Sequence, residues 1–152
     1  MWKVFRDEGA NEYATWMLEY WNGNPPGDYY PGDEYVDWLG LSCQNWWSGT
    51  TGRQGPYRSL GELVSPNYDY WTSVHKDKPI MIGEMSTEKH TKQHEWYIDA
   101  FRYIKTRPRI GAAIIIDVPY GDFTFGQDLI LTAESRKALR EVFKDPYWIL
   151  AH

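Results

Sequence analysis

The sequence predicts an α/β fold built on a parallel sheet. The segments "PIMIGE" (residues 79–84) and "GAAIIIDV" (residues 111–118) are nearly continuous apolar runs rather than alternating ones, the pattern of parallel strands covered on their faces. Each is followed by a stretch with helical spacing. Two earlier segments, "YATWMLEYW" (13–21) and "VDWLGLSC" (36–43), are short, apolar or aromatic, and bounded by Gly, Pro, Asn and Asp, as strands are.

Taken in chain order, residues 2–8 read as a first helix ended by Gly9, and 13–21 as the first strand. A connection of residues 22–35 leads to the second strand, and another of 44–58 leads to a helix within 59–75, broken or started at Pro66. Both connections are rich in Gly, Pro and aromatics and follow the C-terminal end of a strand, where parallel α/β sheets hold their ligands. After strand 79–84, Ser86 or Thr87 offers an N-cap oxygen, and Tyr97, Ala100, Phe101 and Ile104 recur at i, i+3, i+4, i+7. After strand 111–118, Thr132 is the expected cap of a helix in which Ala138, Leu139, Val142 and Phe143 share a face. No repeat, low-complexity tract or linker interrupts this order, so residues 1–152 are expected to form a single domain.

Composition removes several functions. Sixteen basic against 21 acidic residues give a net charge of −5, and no basic run appears, so nucleic acid and anionic membrane are not expected partners. No segment approaches a membrane span, and the opening residues are too polar for a signal peptide. One cysteine, Cys43, permits neither an internal disulfide nor a cysteine-based zinc site. The aromatic content, 17% with nine Trp and twelve Tyr, supplies surfaces that are half apolar and half polar, as sugar faces are.

Three acids stand at or near strand ends: Glu19, Glu84 and Asp117. Carboxylates held there by a rigid sheet, beside aromatic loops, are the apparatus of glycoside hydrolysis, although a helix cap or salt bridge accounts equally well for any one of them. His90 and His94 share a helix face but lack the HExxH order and a third ligand, so no metal is expected. "GTTGRQG" lacks the spacing of a phosphate loop, and Ser42, Ser48 and Ser86 lack the nucleophile elbow of serine hydrolases. No cofactor is expected.

In order and spacing, "YYPGDEYVDWLGL" (29–41), "KPIMIGEM" (78–85), "WYIDAFRYIKTRPRIGAAIIIDV" (96–118) and "ALREVFKDPYW" (138–148) resemble the C-terminal half of glycoside hydrolase family 26, retaining endo-β-mannanases and related β-glucanases on a (β/α)8 TIM barrel. The resemblance implies strands five to eight of such a barrel, with Glu84 as the nucleophile. It gives Asp37 and Trp38 a packing role at the start of strand six and places Trp46 and Trp47 where the family stacks sugars. Three positions depart from it. Gln44 stands where the family carries a tyrosine partner of the nucleophile, Glu19 lies where strand five ends, and Asp128 and Leu129 replace an Asp-Trp pair. The family's acid/base glutamate belongs to strand four, upstream of everything matched.

Two functional readings follow. One is a retaining glycosidase in which Glu84 attacks and Glu19, or a residue of another chain, donates the proton. The other is a non-hydrolytic carbohydrate-binding half-barrel, or a truncated fragment lacking the acid/base, in which Trp21, Tyr30, Trp46 and Trp47 stack sugar rings, with Gln44 and Asp117 as further substrate contacts. Either way the partner is a polysaccharide or oligosaccharide. The resemblance implies secretion, though no signal peptide is visible. Four strands cannot close a barrel, so self-association or a complementary half-barrel chain is expected, with a flattened, doubly wound sheet as the remaining outcome.

Overall fold

The computed structural model describes residues 1–21, 29–46, 56–120 and 127–149. Strands β1 (Met17–Trp21), β2 (Trp38–Asn45), β3 (Ile80–Thr87) and β4 (Ile110–Ile115) form one all-parallel sheet in the order β1-β2-β3-β4. Helix α1 (Trp2–Asp7) precedes β1, α2 (Leu60–Val74) joins β2 to β3, α3 (Gln93–Lys105) joins β3 to β4, and α4 (Ala133–Val142) follows β4. Between β4 and α4 a short antiparallel pair, β5 (Pro119–Tyr120) with β6 (Gln127–Asp128), departs from the predicted order. Strands that neighbour one another in sequence also neighbour one another in space, which is the order of a singly wound barrel; a doubly wound sheet reverses direction partway. The fold is an α/β half-barrel, as the sequence predicts.

The helices cover one face of the sheet. Leu39, Leu41 and Cys43 of β2 and Ile80, Ile82 and Met85 of β3 are completely buried there, beneath Leu63, Val64 and Trp71 of α2 and Trp96, Tyr97 and Ile104 of α3. This alternation also sets the identity of the opposite face. Trp38, Gly40, Ser42 and Gln44 of β2 point away from the helices, toward what would be a barrel interior. Among the described residues that interior face is largely open, and Ile114 of β4 is 48% exposed on it.

Pro66 does not break its helix. α2 runs unbroken through it because Pro66 lies on the exposed side, while a capping box between Ser59 and Glu62 fixes the start and a full apolar face fixes the rest. The expected cap of α3 is overturned. β3 continues past Glu84, pairing Ser86 with Gln44 and Thr87 with Asn45, so α3 begins only at Gln93, without a side-chain cap. Thr132 does cap α4, its oxygen accepting from the Ser135 amide at 3.0 Å.

One buried amide joins these elements. Gln93 is fully buried, and its Nε2 donates to the carbonyls of Thr87 and Ile130, both at 3.2 Å. Its Oε1 accepts from the Thr132 amide and the Ser135 hydroxyl, both at 2.8 Å. The end of β3, the approach to α4 and the cap of α4 therefore share a single side chain. Replacing Gln93 with Leu removes all four of these side-chain hydrogen bonds. The expected cost is about 2–4 kcal/mol, read as a lower urea midpoint at unchanged slope.

Candidate active site

The site is built on the interior face, and it depends on an irregularity in β3. Gly40 pairs with Met81 and Ser42 with Glu84, so three steps on β3 match two on β2. On the other side Ile82 pairs with Ala113 and Met85 with Ile115, again three against two. β3 therefore carries one residue more than either neighbour between Ile82 and Met85. Without that bulge, strict alternation from the inward Met81 would turn Glu84 toward the helices. With it, Gly83 and Glu84 both face inward. Glu84 is not at a strand tip, as the sequence suggests; it lies inside β3 and reaches the cleft through this local doubling.

Two donors meet the same oxygen of Glu84. Ser42 Oγ and Gln44 Nε2, two residues apart on the inward side of β2, each donate to Glu84 Oε2 at 2.8 Å. Among the described residues no hydrogen bond reaches Oε1. The carboxylate is thus fixed through one oxygen and left open at the other. Gln44 supplies a donor where the resemblance implies a tyrosine, and Ser42 is a contact that sequence reasoning misses.

Glu19 approaches from two strands away. It pairs with Gly40 on β2, and its side chain crosses that strand to lie against Gly83 on β3. A Cβ added at Gly83 would collide with Glu19 Oε1, and one at Gly40 would stand 2.7 Å from Met17 Sδ and 3.2 Å from the Glu19 Cβ. Both glycines are needed for close approach, the backbone conformation being ordinary at each. A glycine inside a strand is a readable sign of a bulge or of close packing, and both were present in "WLGLSC" and "PIMIGE". Burial, and secondarily the charge of Glu84, raise the Glu19 pKa above its ordinary 4.5.

Trp21 shares the layer of the nucleophile candidate, through Trp21–Ser42 and Ser42–Glu84 pairing, and is 47% exposed. Trp46 follows β2 at the same end, and its indole N–H is buried without an acceptor among the described residues. Trp47 lies outside the described residues. At the other end Trp38, the first residue of β2, lays its ring across the interior face to within 3.0 Å of a Cβ built at Gly111 of β4. Gly111 is itself the extra residue of a second bulge, between the Ile80–Ile110 and Met81–Ala112 pairs.

The structure does not bring Tyr30 or Asp117 into this cluster. The connection from β1 to a parallel β2 must return to the N-terminal end of the sheet, and Tyr30 belongs to that return. Its ring packs on His75, which caps the C-terminus of α2, at 4.2 Å, and its hydroxyl donates to Asp33 Oδ1 at 2.5 Å. Asp117 lies beyond β4, but its carboxylate accepts from the Leu131 amide at 3.0 Å and pairs with Arg136 at 2.9 Å, tying the strand end to α4. His90 accepts from the Lys92 amide through Nδ1, at 3.0 Å. No group of three or more potential metal-ligating side chains occurs among the described residues.

The chain is 32% identical over 110 residues to Endoglucanase H of Acetivibrio thermocellus, a match that covers 68% of this chain and 12% of that one. In structure it is similar to the β-glucuronidase of Ruminococcus gnavus. The TM-score is 0.60 for one crystal structure and 0.59 for the complex with uronic deoxynojirimycin, each at 12% identity and over 29% of the longer chain. The chain thus spans under a third of the proteins it matches. No family model matches it. The sequence relative bears the name of an endoglucanase, and the fold neighbours share the parallel α/β half-barrel.

The seat of Glu19 makes two measurable statements. Gly83→Ala is expected to push the carboxyl off the sheet and lower its pKa toward 4.5, followed by carbon-detected NMR titration of labelled glutamate; an unmoved pKa would show that the carboxyl does not rest on Gly83. Because the folded-state pKa is raised, Glu19 contributes stability that is complete below its ordinary value and is lost as pH rises through the elevated one. Glu19→Gln should abolish that part of the pH dependence of the urea midpoint while leaving the acid side unchanged.

Proposed function

We propose that this glycoside hydrolase-like half-barrel carries the nucleophile of a retaining β-glycosidase acting on β-mannan or β-glucan. The observation that carries the reading is the asymmetric hold on Glu84, with Oε2 bound by Ser42 and Gln44 and no hydrogen bond to Oε1 among the described residues. Oε1 attacks the anomeric carbon, the bond to the aglycone oxygen breaks, and a glycosyl ester forms; water then attacks that carbon and releases Glu84. Glu19, whose raised pKa keeps its proton to higher pH than an ordinary carboxyl, donates to the departing oxygen and recovers a proton from the water. Trp21 and Trp46 offer ring faces to the sugar. The sequence relative, by its name an endoglucanase, supports a β-glucan, and the resemblance to family 26 supports a β-mannan.

One observation favours a second reading. Glu19 pairs two residues nearer the N-terminal end than Glu84, beneath it rather than across a sugar from it. If it cannot reach the aglycone, the proton transfer worth ~10²–10⁴ in rate is lost and a carbohydrate-binding surface remains.

Reducing-sugar release from β-mannan and mixed-linkage β-glucan decides between them. Glu84→Gln should remove release by several orders of magnitude. Glu19→Gln should slow polysaccharides while sparing aryl glycosides whose leaving group needs no proton. Absence of Glu84-dependent release, together with quenching of tryptophan fluorescence by manno- or gluco-oligosaccharides, would instead identify a binding surface. Neither turnover nor quenching would remove the carbohydrate reading.

A further inference from the structure

We infer that Ser42 and Gln44 are positioning residues that serve the second half of the reaction: their hydrogen bonds to Glu84 speed the release of the sugar from the enzyme rather than its capture. This rests on the retaining-glycosidase reading above and deepens it, by assigning the hold on Glu84 to one of the two chemical steps.

Both donors meet the same oxygen, Oε2, at 2.8 Å, and among the described residues none meets Oε1. Once Oε1 is bonded to the anomeric carbon, Oε2 is the carbonyl oxygen of an ester, and the two donors remain on it. An ester carbonyl carries far less charge than a carboxylate, and a hydrogen bond to an ionised acceptor is roughly twice as strong as one to a neutral acceptor. The two bonds therefore weaken as the ester forms and recover as it breaks. They favour the free carboxylate over the glycosyl ester, which holds back the first step and speeds the second.

The second step shows where the charge goes. The oxygen of water bonds to the anomeric carbon, the bond from that carbon to Oε1 breaks, and its electron pair returns to the Glu84 carboxyl while the water's proton passes to the Glu19 carboxylate. The negative charge that reappears on Glu84 is shared with Oε2, where both donors already stand. Donors in place before the charge develops need no reorganisation, the condition under which such bonds count most.

The strand keeps them in place. Ser42 and Gln44 alternate along β2 with Leu41, Cys43 and Asn45, all of which are buried on the opposite side. Asn45 adds two ties next to Gln44: its Nδ2 donates to Thr87 Oγ1 at 3.1 Å, and its Oδ1 accepts from the Arg58 amide at 3.0 Å. Ser42 is itself only 9% exposed, so water is poorly placed to substitute for its hydroxyl.

The test uses dinitrophenyl β-cellobioside and dinitrophenyl β-mannobioside, whose leaving group needs no proton, so that loss of the sugar from Glu84 limits turnover. Ser42→Ala is expected to lower kcat about tenfold and KM with it, leaving kcat/KM, which reports the first step, unchanged or raised. The chain carrying a covalent sugar, followed by intact mass after substrate is removed, should decay about tenfold more slowly than in the wild type. Gln44→Met, which removes the other donor to the same oxygen, should act in the same direction, and Ser42→Thr, which keeps a hydroxyl, should return kcat toward the wild-type value. A kcat/KM that falls together with kcat, without a longer-lived sugar adduct, means that Ser42 merely keeps Glu84 in place; that result, or an unchanged kcat, overturns the proposal and leaves the glycosidase reading standing. Absence of Glu84-dependent release from either glycoside, in wild type and variants alike, overturns both.

Discussion

The single residue by which β3 outruns both neighbours decides which face of the sheet Glu84 occupies, and the rest of the candidate site is arranged around that choice. In a regular strand the carboxylate would be buried among the aromatic side chains of α2 and α3, unpaired and costly. The bulge turns it inward, brings it level with Ser42 and aligns it with Gln44, so the same irregularity creates both the orientation and the hydrogen bonds that hold it. It also leaves Gly83 as bare backbone at the foot of Glu84, where, with Gly40 equally bare on the strand between, a side chain from β1 can rest. Two carboxyls from strands two apart meet because the strand between them presents a glycine and the strand beyond presents another.

The fold sets these groups on the face of the sheet opposite α2 and α3. α2 and α3 lie on the other side, and the strongest packing, Leu39, Leu41, Ile80 and Ile82 against these two helices, lies there too. Stability and chemistry are thus separated by the thickness of the sheet. The helical face can hold the strands rigid while the interior face keeps polar groups and small residues that contribute little to the core. That division is what a preorganised site requires, and it leaves an interior with apolar patches at β1 and β4.

Much of this was legible in the sequence. The apolar runs at 79–84 and 111–118 announced a parallel sheet, the i, i+3, i+4, i+7 pattern from Tyr97 announced α3, and Thr132 announced the cap of α4. Glu84 and Glu19 stood out as acids in apolar strands. What the sequence concealed depends on pairing between strands. Whether Glu84 faces in or out turns on one unpaired residue, which no periodicity reveals, although Gly83 and Gly40 hinted at it. Ser42 looked unremarkable because its importance comes from lying opposite Glu84, 42 positions away. Tyr30 misled because proximity in sequence to the end of β1 does not survive a return to the opposite end of the sheet. Ser86 and Thr87 misled because cap chemistry and edge-of-strand chemistry use the same residues.

The four hydrogen bonds of Gln93 bear on how the molecule opens. A glutamate there would be nearly the same shape but could not donate to two carbonyls, so the position demands an amide and not merely a polar group. The ends of a helix ordinarily fray on their own, at little free-energy cost. Here the first turn of α4 and the last residue of β3 hang from the same buried group, so loosening one releases the other. α4 and the rim beside the candidate nucleophile therefore belong to a single cooperative unit, and partial unfolding that begins in α4 reaches the site in one step.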